Sequence, residues 1–170
     1  MNLKPYIRDI PDFPSKGILF KDITPLLKNP EAMEQATEAL LDLIKNKKID
    51  KVVGMESRGF FFGPLLAARL NVGFVPVRKP GKLPAEKISV TYDLEYGSDT
   101  LEMHIDSIKK GDKVLIHDDV LATGGTAKAT CELVERLGGE IVQCNFLIIL
   151  GFSKGEEKLK GYDVRSLVQY

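Results

Sequence analysis

Cysteine is scarce in this chain, with two among 170 residues. Cys131 and Cys144 have no metal-ligand spacing and fall in a predicted helix and a predicted strand. They read as small core residues, not as a disulfide framework or a metal site. An excess of one charge is lacking too. Lys and Arg number 24 and Asp and Glu number 24, so there is no global field of the kind that draws nucleic acid. No apolar run approaches the roughly 20 residues a membrane-spanning helix needs, and the N-terminal MNLKPYIRD has no signal-peptide core. Neither nucleic acid nor a membrane is an expected partner, and a reducing cytoplasm is the expected location. The fingerprints G-x-x-x-x-G-K-[ST] and G-x-G-x-x-G of the common nucleotide sites do not occur.

What remains is ordinary for a soluble globular protein. Hydrophobic residues make up 44% and charged residues 28%, and the length suffices for one domain with a real core. No repeat, low-complexity tract or linker divides it, so residues 1–170 are expected to form a single domain. Residues 1–29 are turn-rich, with Pro5, Pro11, Pro14, Pro25 and Gly17, and hold one short apolar strand candidate beginning at Gly17. Asn29-Pro30 reads as a cap and first helical position. Met33, Ala36, Leu40, Leu43 and Ile44 then predict a helix over 31–46. A buried strand at 51–55, a tight loop at 56–59, a helix at 60–70 and a strand at 73–79 form a βαβ unit, which implies a parallel sheet. Residues 88–95 and 100–105 alternate as an antiparallel hairpin, and apolar strands are predicted at 141–150 and 164–168. The fold class is α/β, with ligands expected at the carboxyl ends of the parallel strands.

The most informative segment is VLIHDDVLATGGT at 114–126. It reads as a buried strand, two adjacent carboxylates, and a hydroxyl- and glycine-rich turn opening a helix over 126–137. The free N–H groups of such a helix start bind anions, and a phosphate fits them well. Thr123 and Thr126 add hydroxyls, and Gly124 and Gly125 permit close approach. Carboxylates repel phosphate, so Asp118 and Asp119 must face another part of the same ligand. A sugar diol, or a metal held by one, satisfies them, and a sugar phosphate carries both groups. The bland alternative is a plain strand-to-helix turn with capping threonines.

VLIHDDVLATGGT resembles the phosphoribosyl-pyrophosphate (PRPP) signature of the type I phosphoribosyltransferases. PDFPSKGILFKDITP at 11–25, ESRGFFFGP at 56–64, and RKPGKLP at 78–84 with LEYG at 94–97 resemble the branch of that family acting on adenine, in the same order and over most of the chain. The resemblance implies the type I phosphoribosyltransferase fold, with an N-terminal hood from residues 1–29 and a hairpin carrying a mobile loop. It implies a purine salvage enzyme that transfers the 5-phosphoribosyl group from PRPP to adenine, giving AMP and pyrophosphate. Magnesium would arrive with PRPP, with no direct protein ligand and contacts through water to Asp118 and Asp119. A cytoplasmic homodimer is implied as well.

The resemblance also implies roles. Asp118 and Asp119 would hold the ribose hydroxyls and stabilise a developing cation. Ala122, Thr123, Gly124, Gly125 and Thr126 would cradle the 5′-phosphate. Glu56, Ser57, Arg58 and Gly59 would form the pyrophosphate loop, which in this fold usually contains a non-proline cis peptide, and Arg58 would also reach the purine. Arg78, Lys79 and Lys82 would meet the pyrophosphate, Arg78 from across a dimer interface. Leu19, Phe20 and Lys21 would belong to the hood, with Phe20 on one face of adenine and Val120, where leucine is more usual, on the other. Glu95 would manage the purine proton, and Tyr96 would sit beside it on the mobile loop. Taken alone, Arg58, Lys79 and Lys82 could be solvated charges, Phe20 a core residue, and Glu95 a gating charge. His104, His117, Tyr6 and Tyr92 suggest packing only. The rival readings are transfer to another purine base, a non-catalytic sensor of PRPP or purine, and a generic flavodoxin-like binding module.

Overall fold

In the computed structural model, residues 2–94 and 97–170 are described. Five parallel strands build the central sheet: β3 (Lys51–Met55), β4 (Gly73–Val77), β7 (Lys113–Leu121), β8 (Glu140–Ile149) and β9 (Val164–Gln169), in the order β4-β3-β7-β8-β9. Apolar residues fill these strands because both faces are covered. On one face lie α2 (Pro30–Asp42) and α3 (Gly63–Leu70), burying Leu40, Leu66, Val52, Leu115 and Leu147. On the other lies α4 (Gly125–Arg136), burying Cys131 and Leu133 against Val53, Ile116 and Phe146. The two cysteines are buried and free.

Two antiparallel ribbons complete the fold. β5 (Lys87–Asp93) and β6 (Ser98–His104) form the expected hairpin, packed on the α4 side through Val90 and Leu101. β1 (Arg8–Pro11) pairs with β2 (Leu19–Asp22) near the N-terminus. The turn-rich composition of 1–29 suggested only one strand there. β1 forms because Ile10 pairs with Phe20 and Arg8 with Asp22, the latter joined by an ion pair of 2.6 Å. A short helix, α1 (Thr24–Leu27), follows, followed at Asn29 by the expected cap, whose side chain accepts the Ala32 amide at 2.9 Å.

Several boundaries differ from expectation, three of them as follows. The helix predicted over 31–46 ends at Asp42, although Ile44 still packs into the core. The helix predicted from residue 60 starts at Gly63, because a 3-10 turn at Arg58–Phe60 precedes it and proline favours the first turn of an α-helix. β7 runs through Leu121, so the two acids lie within the strand and not beyond its end.

Candidate active site

The connections of a doubly wound sheet leave in opposite directions from β3 and β7, which are neighbours. The crevice at the carboxyl ends of those two strands is therefore where a ligand sits. Residues 56–59 enter it from β3 and residues 122–126 from β7. The Glu56–Ser57 peptide is cis. Gly59 lets the first loop lie directly against β7: a side-chain carbon there would come within 2.9 Å of the His117 carbonyl oxygen and 3.2 Å of Asp118 Oδ1.

Because Asp118 and Asp119 occupy successive positions of an extended strand, their side chains leave on opposite faces. Asp118 lines a small cavity with Thr123, Gly124, Thr126 and Phe146. Asp119 is buried and lines a second cavity, of about 280 Å3, with Phe20, Arg58, Val120 and Leu150. Burial holds both carboxyls above the usual range. The charge of Asp119 raises Asp118 further, whereas an ion pair with Arg58 pulls Asp119 partly back. Two acids so placed gain from any positive charge that arrives nearby.

The turn after β7 reaches α4 through Gly124, whose φ of 77° suits glycine. Among the described residues no side chain caps α4, so the first N–H groups of this twelve-residue helix are open to an anion. Ala122, Thr123 and Thr126 surround that opening.

The N-terminal ribbon forms one wall of the second cavity, and Leu19, Phe20 and Lys21 line it beside Val120 and Leu150. Arg58 ties this wall to the sheet. Its guanidinium donates to the Lys21 carbonyl at 3.1 Å and lies 4.7 Å from the centre of the Phe20 ring. Lys21 is itself held, with its ammonium 2.6 Å from Asp9 and 3.7 Å from the centre of the Tyr170 ring.

Beyond the β3 loop the basic residues gather on Glu56. Arg78 Nε lies 3.2 Å, and the Lys79 amide 3.0 Å, from Glu56 Oε2, while the Lys82 ammonium is 3.8 Å from Oε1. Partial burial would raise the Glu56 carboxyl, but the Lys79 amide, Arg78 and Lys82 outweigh it and hold it below its usual range. The Lys79 ammonium pairs instead with Asp99 at 3.0 Å. Glu95 and Tyr96 lie outside the described residues.

Comparison with known proteins decides the family. The family profile "Phosphoribosyl transferase domain" matches residues 22–168. The adenine phosphoribosyltransferase of Christiangramia forsetii is 65% identical over 100% of this chain and 99% of its own length. This chain belongs to the adenine phosphoribosyltransferase family. Among solved structures, the adenine phosphoribosyltransferase of Thermoanaerobacter pseudethanolicus matches with a TM-score of 0.97 at 54% identity, covering 99% of this chain and 98% of that one. The Saccharomyces cerevisiae enzyme, in complex with an imino-altritol bisphosphate and adenine, matches at a TM-score of 0.92 and 47% identity over 96% and 95% of the chains.

Within this member of the adenine phosphoribosyltransferase family the structure adds site neighbours that stand outside the sequence motifs. Leu150 closes the apolar cavity just beyond β8. Its signal was its place at the carboxyl end of a parallel strand. Tyr92, expected only to pack, puts its hydroxyl 3.0 Å from Thr126 Oγ1, and nothing in the alternation of β5 distinguished it. Asp9 had no local signal, because its strand was not foreseen.

Proposed function

We propose that this chain is a purine salvage transferase that joins adenine to the phosphoribosyl group of PRPP. The observation that carries the reading is the adjacency of two unlike compartments across β7. One is an apolar slot between Phe20 and Val120, suited to a flat purine. The other is an open helix start ringed by Thr123, Gly124 and Thr126, suited to a phosphate. Asp118 and Asp119 sit between them, where a pentose would join the two ligand ends.

In this reading, N9 of adenine attacks the anomeric carbon as the bond to the pyrophosphate oxygen breaks and takes its electron pair with it. The sugar becomes positive as that bond lengthens, and the carboxylates of Asp118 and Asp119 oppose the rising charge. The backbone and side chains of residues 57–59, together with Arg78, Lys79 and Lys82, receive the leaving pyrophosphate. Glu56 holds the last three in place by its ion pairs and by the Lys79 amide. Arg58 contacts Asp119, Phe20 and the Lys21 carbonyl together, so it fixes the base wall relative to the sugar. Backbone groups of Leu19 and Lys21 read the purine edge. Glu95 accepts the proton that N9 loses, and with Tyr96 belongs to the loop that shuts the site against water.

Magnesium fits this donor set. Asp118 and Asp119 are hard oxygen donors held above their usual range by burial, and they would contact the ion through its waters. When bound, the ion supplies positive charge to the pyrophosphate oxygens. We read residues 1–29 as the hood of a single domain, and the protein as a cytoplasmic homodimer, which light scattering of the purified protein checks. No helix among the described residues is long and apolar enough to cross a membrane. The direct test offers adenine, hypoxanthine, guanine and xanthine separately with PRPP and magnesium. Turnover of adenine alone is expected, and faster use of a 6-oxopurine would overturn the reading.

A further inference from the structure

The most informative group left over is Tyr92. It projects from the hairpin onto the phosphate loop. Its hydroxyl is 3.0 Å from Thr126 Oγ1, and its ring packs beside Gly125: a side-chain carbon there would lie 3.0 Å from ring carbon Cδ2. A second acceptor, Asp99 Oδ2, stands 3.5 Å from the same hydroxyl. That distance is at the weak limit of a hydrogen bond. Asp99 is already engaged, by the Lys79 ammonium at 3.0 Å and the Thr100 amide at 2.8 Å.

Tyr92 and Thr126 each carry one hydroxyl proton. If Thr126 donates to Tyr92, it has no proton left for a ligand. If Tyr92 donates to Thr126, the Thr126 proton is free to point at whatever occupies the helix start. An anion there favours the second arrangement, because it attracts the Thr126 proton, and the polarised Thr126 oxygen then accepts more strongly from Tyr92. The phosphate and the hairpin thereby share one hydrogen-bonded chain.

We infer that Tyr92 is a positioning residue for phosphoribosyl transfer: its hydroxyl aims the Thr126 O–H at the 5′-phosphate and ties the β5–β6 hairpin to the occupied loop. The inference rests on the assignment of residues 122–126 to that phosphate. Tyr92 touches no reacting atom. It acts through Thr126.

A double-mutant cycle with ribose 5-phosphate as the probe tests this, using Tyr92→Phe, Thr126→Ala and the double variant in calorimetry, with melting temperatures as a check on folding. Phenylalanine keeps the ring beside Gly125 and removes only the hydroxyl. Tyr92→Phe is expected to weaken ribose 5-phosphate roughly fivefold in the parent, the usual effect of one lost hydrogen bond, and to have no effect once Thr126 is alanine. Hydrogen exchange adds a readout that a packing role would not move. Ribose 5-phosphate should slow exchange in residues 87–93 of the parent and leave it unslowed in Tyr92→Phe. Equal, additive losses in both backgrounds, or unchanged binding by Tyr92→Phe, overturn the inference. An Asp99→Ala variant that loses as much affinity as Tyr92→Phe also overturns it, since the effect would then belong to the hairpin as a whole. Unchanged binding by Thr126→Ala would instead remove the phosphate assignment on which the inference stands.

Discussion

His117 offers a quantitative test of how β7 is built. The imidazole is fully buried, its Nδ1 lies 2.8 Å from Asn145 Oδ1, and its Nε2 has no partner among the described residues. Burial lowers its pKa from 6.5 to about 4, against the pull of Asn145 in the other direction. The unfolded chain therefore takes a proton at this site below pH 6.5 that the folded chain refuses until about pH 4. The folded state is at its full stability from this group above pH 6.5 and loses it as the pH falls to 4. A gap of about 2.5 units, at about 1.4 kcal/mol each, amounts to ~3 kcal/mol. Asp118 and Asp119 act in the opposite sense, because their raised folded pKa makes the native state the better proton acceptor in acid. The parent curve alone mixes these contributions. Urea unfolding of the parent and of His117→Leu, from pH 7.5 down to 4.5, separates them. Stranding the Asn145 side chain in the variant shifts its stability by a constant that does not vary over this range. The parent should lose ~2 to 3 kcal/mol relative to the variant across the interval. A difference that stays flat within about 0.5 kcal/mol, well below that linkage, refutes a neutral, desolvated imidazole at this position.

Other substitutions probe the crevice. Gly59→Ala places a methyl group against the His117 carbonyl and Asp118, so kcat/KM in the steady-state assay should fall at least about tenfold, equivalent to ~1.4 kcal/mol of transition-state stabilisation. Arg58→Met leaves buried Asp119 without its ion-pair partner, which should cost about 2 kcal/mol in urea unfolding, less than for a fully buried pair because Arg58 is partly exposed. Phe20→Ala opens one wall of the apolar cavity; KM for adenine should rise about tenfold while KM for PRPP stays within about twofold. Glu95→Gln should slow the chemical step of a single turnover by about 100-fold, and an unchanged step would leave that residue with a gating role only.

The parallel sheet was legible because strands buried on both faces are written as mostly apolar runs, as at 52–55 and 146–150. The glycine-rich turn into α4 was legible for a related reason: hydroxyls, glycines and a helical period stand side by side at 123–137. The N-terminal ribbon was half hidden. β1 is short and exposed at Arg8 and Asp9, so no local alternation betrays it, and it exists by pairing with β2. The position of the acids within β7 was missed because charged residues look like the end of a buried strand, whereas here they are inner residues facing two cavities. Tyr92 could not be distinguished from any half-buried strand tyrosine, since its partner is 34 positions away. The grouping of Arg78, Lys79 and Lys82 on Glu56 likewise depends on the pairing of β3 with β4, which sequence order suggests but which no single residue encodes.

The alternation of Asp118 and Asp119 across β7 makes the site sensitive to chain length. Removing one residue between Lys113 and His117 would exchange the destinations of the two acids, sending each carboxylate toward the compartment its neighbour now faces, and would turn the imidazole of His117 to the opposite face of the sheet. The turn at 105–112 stands outside the strand and can absorb such a change. In this protein the counting of residues along one strand is therefore as much a determinant of chemistry as their identity.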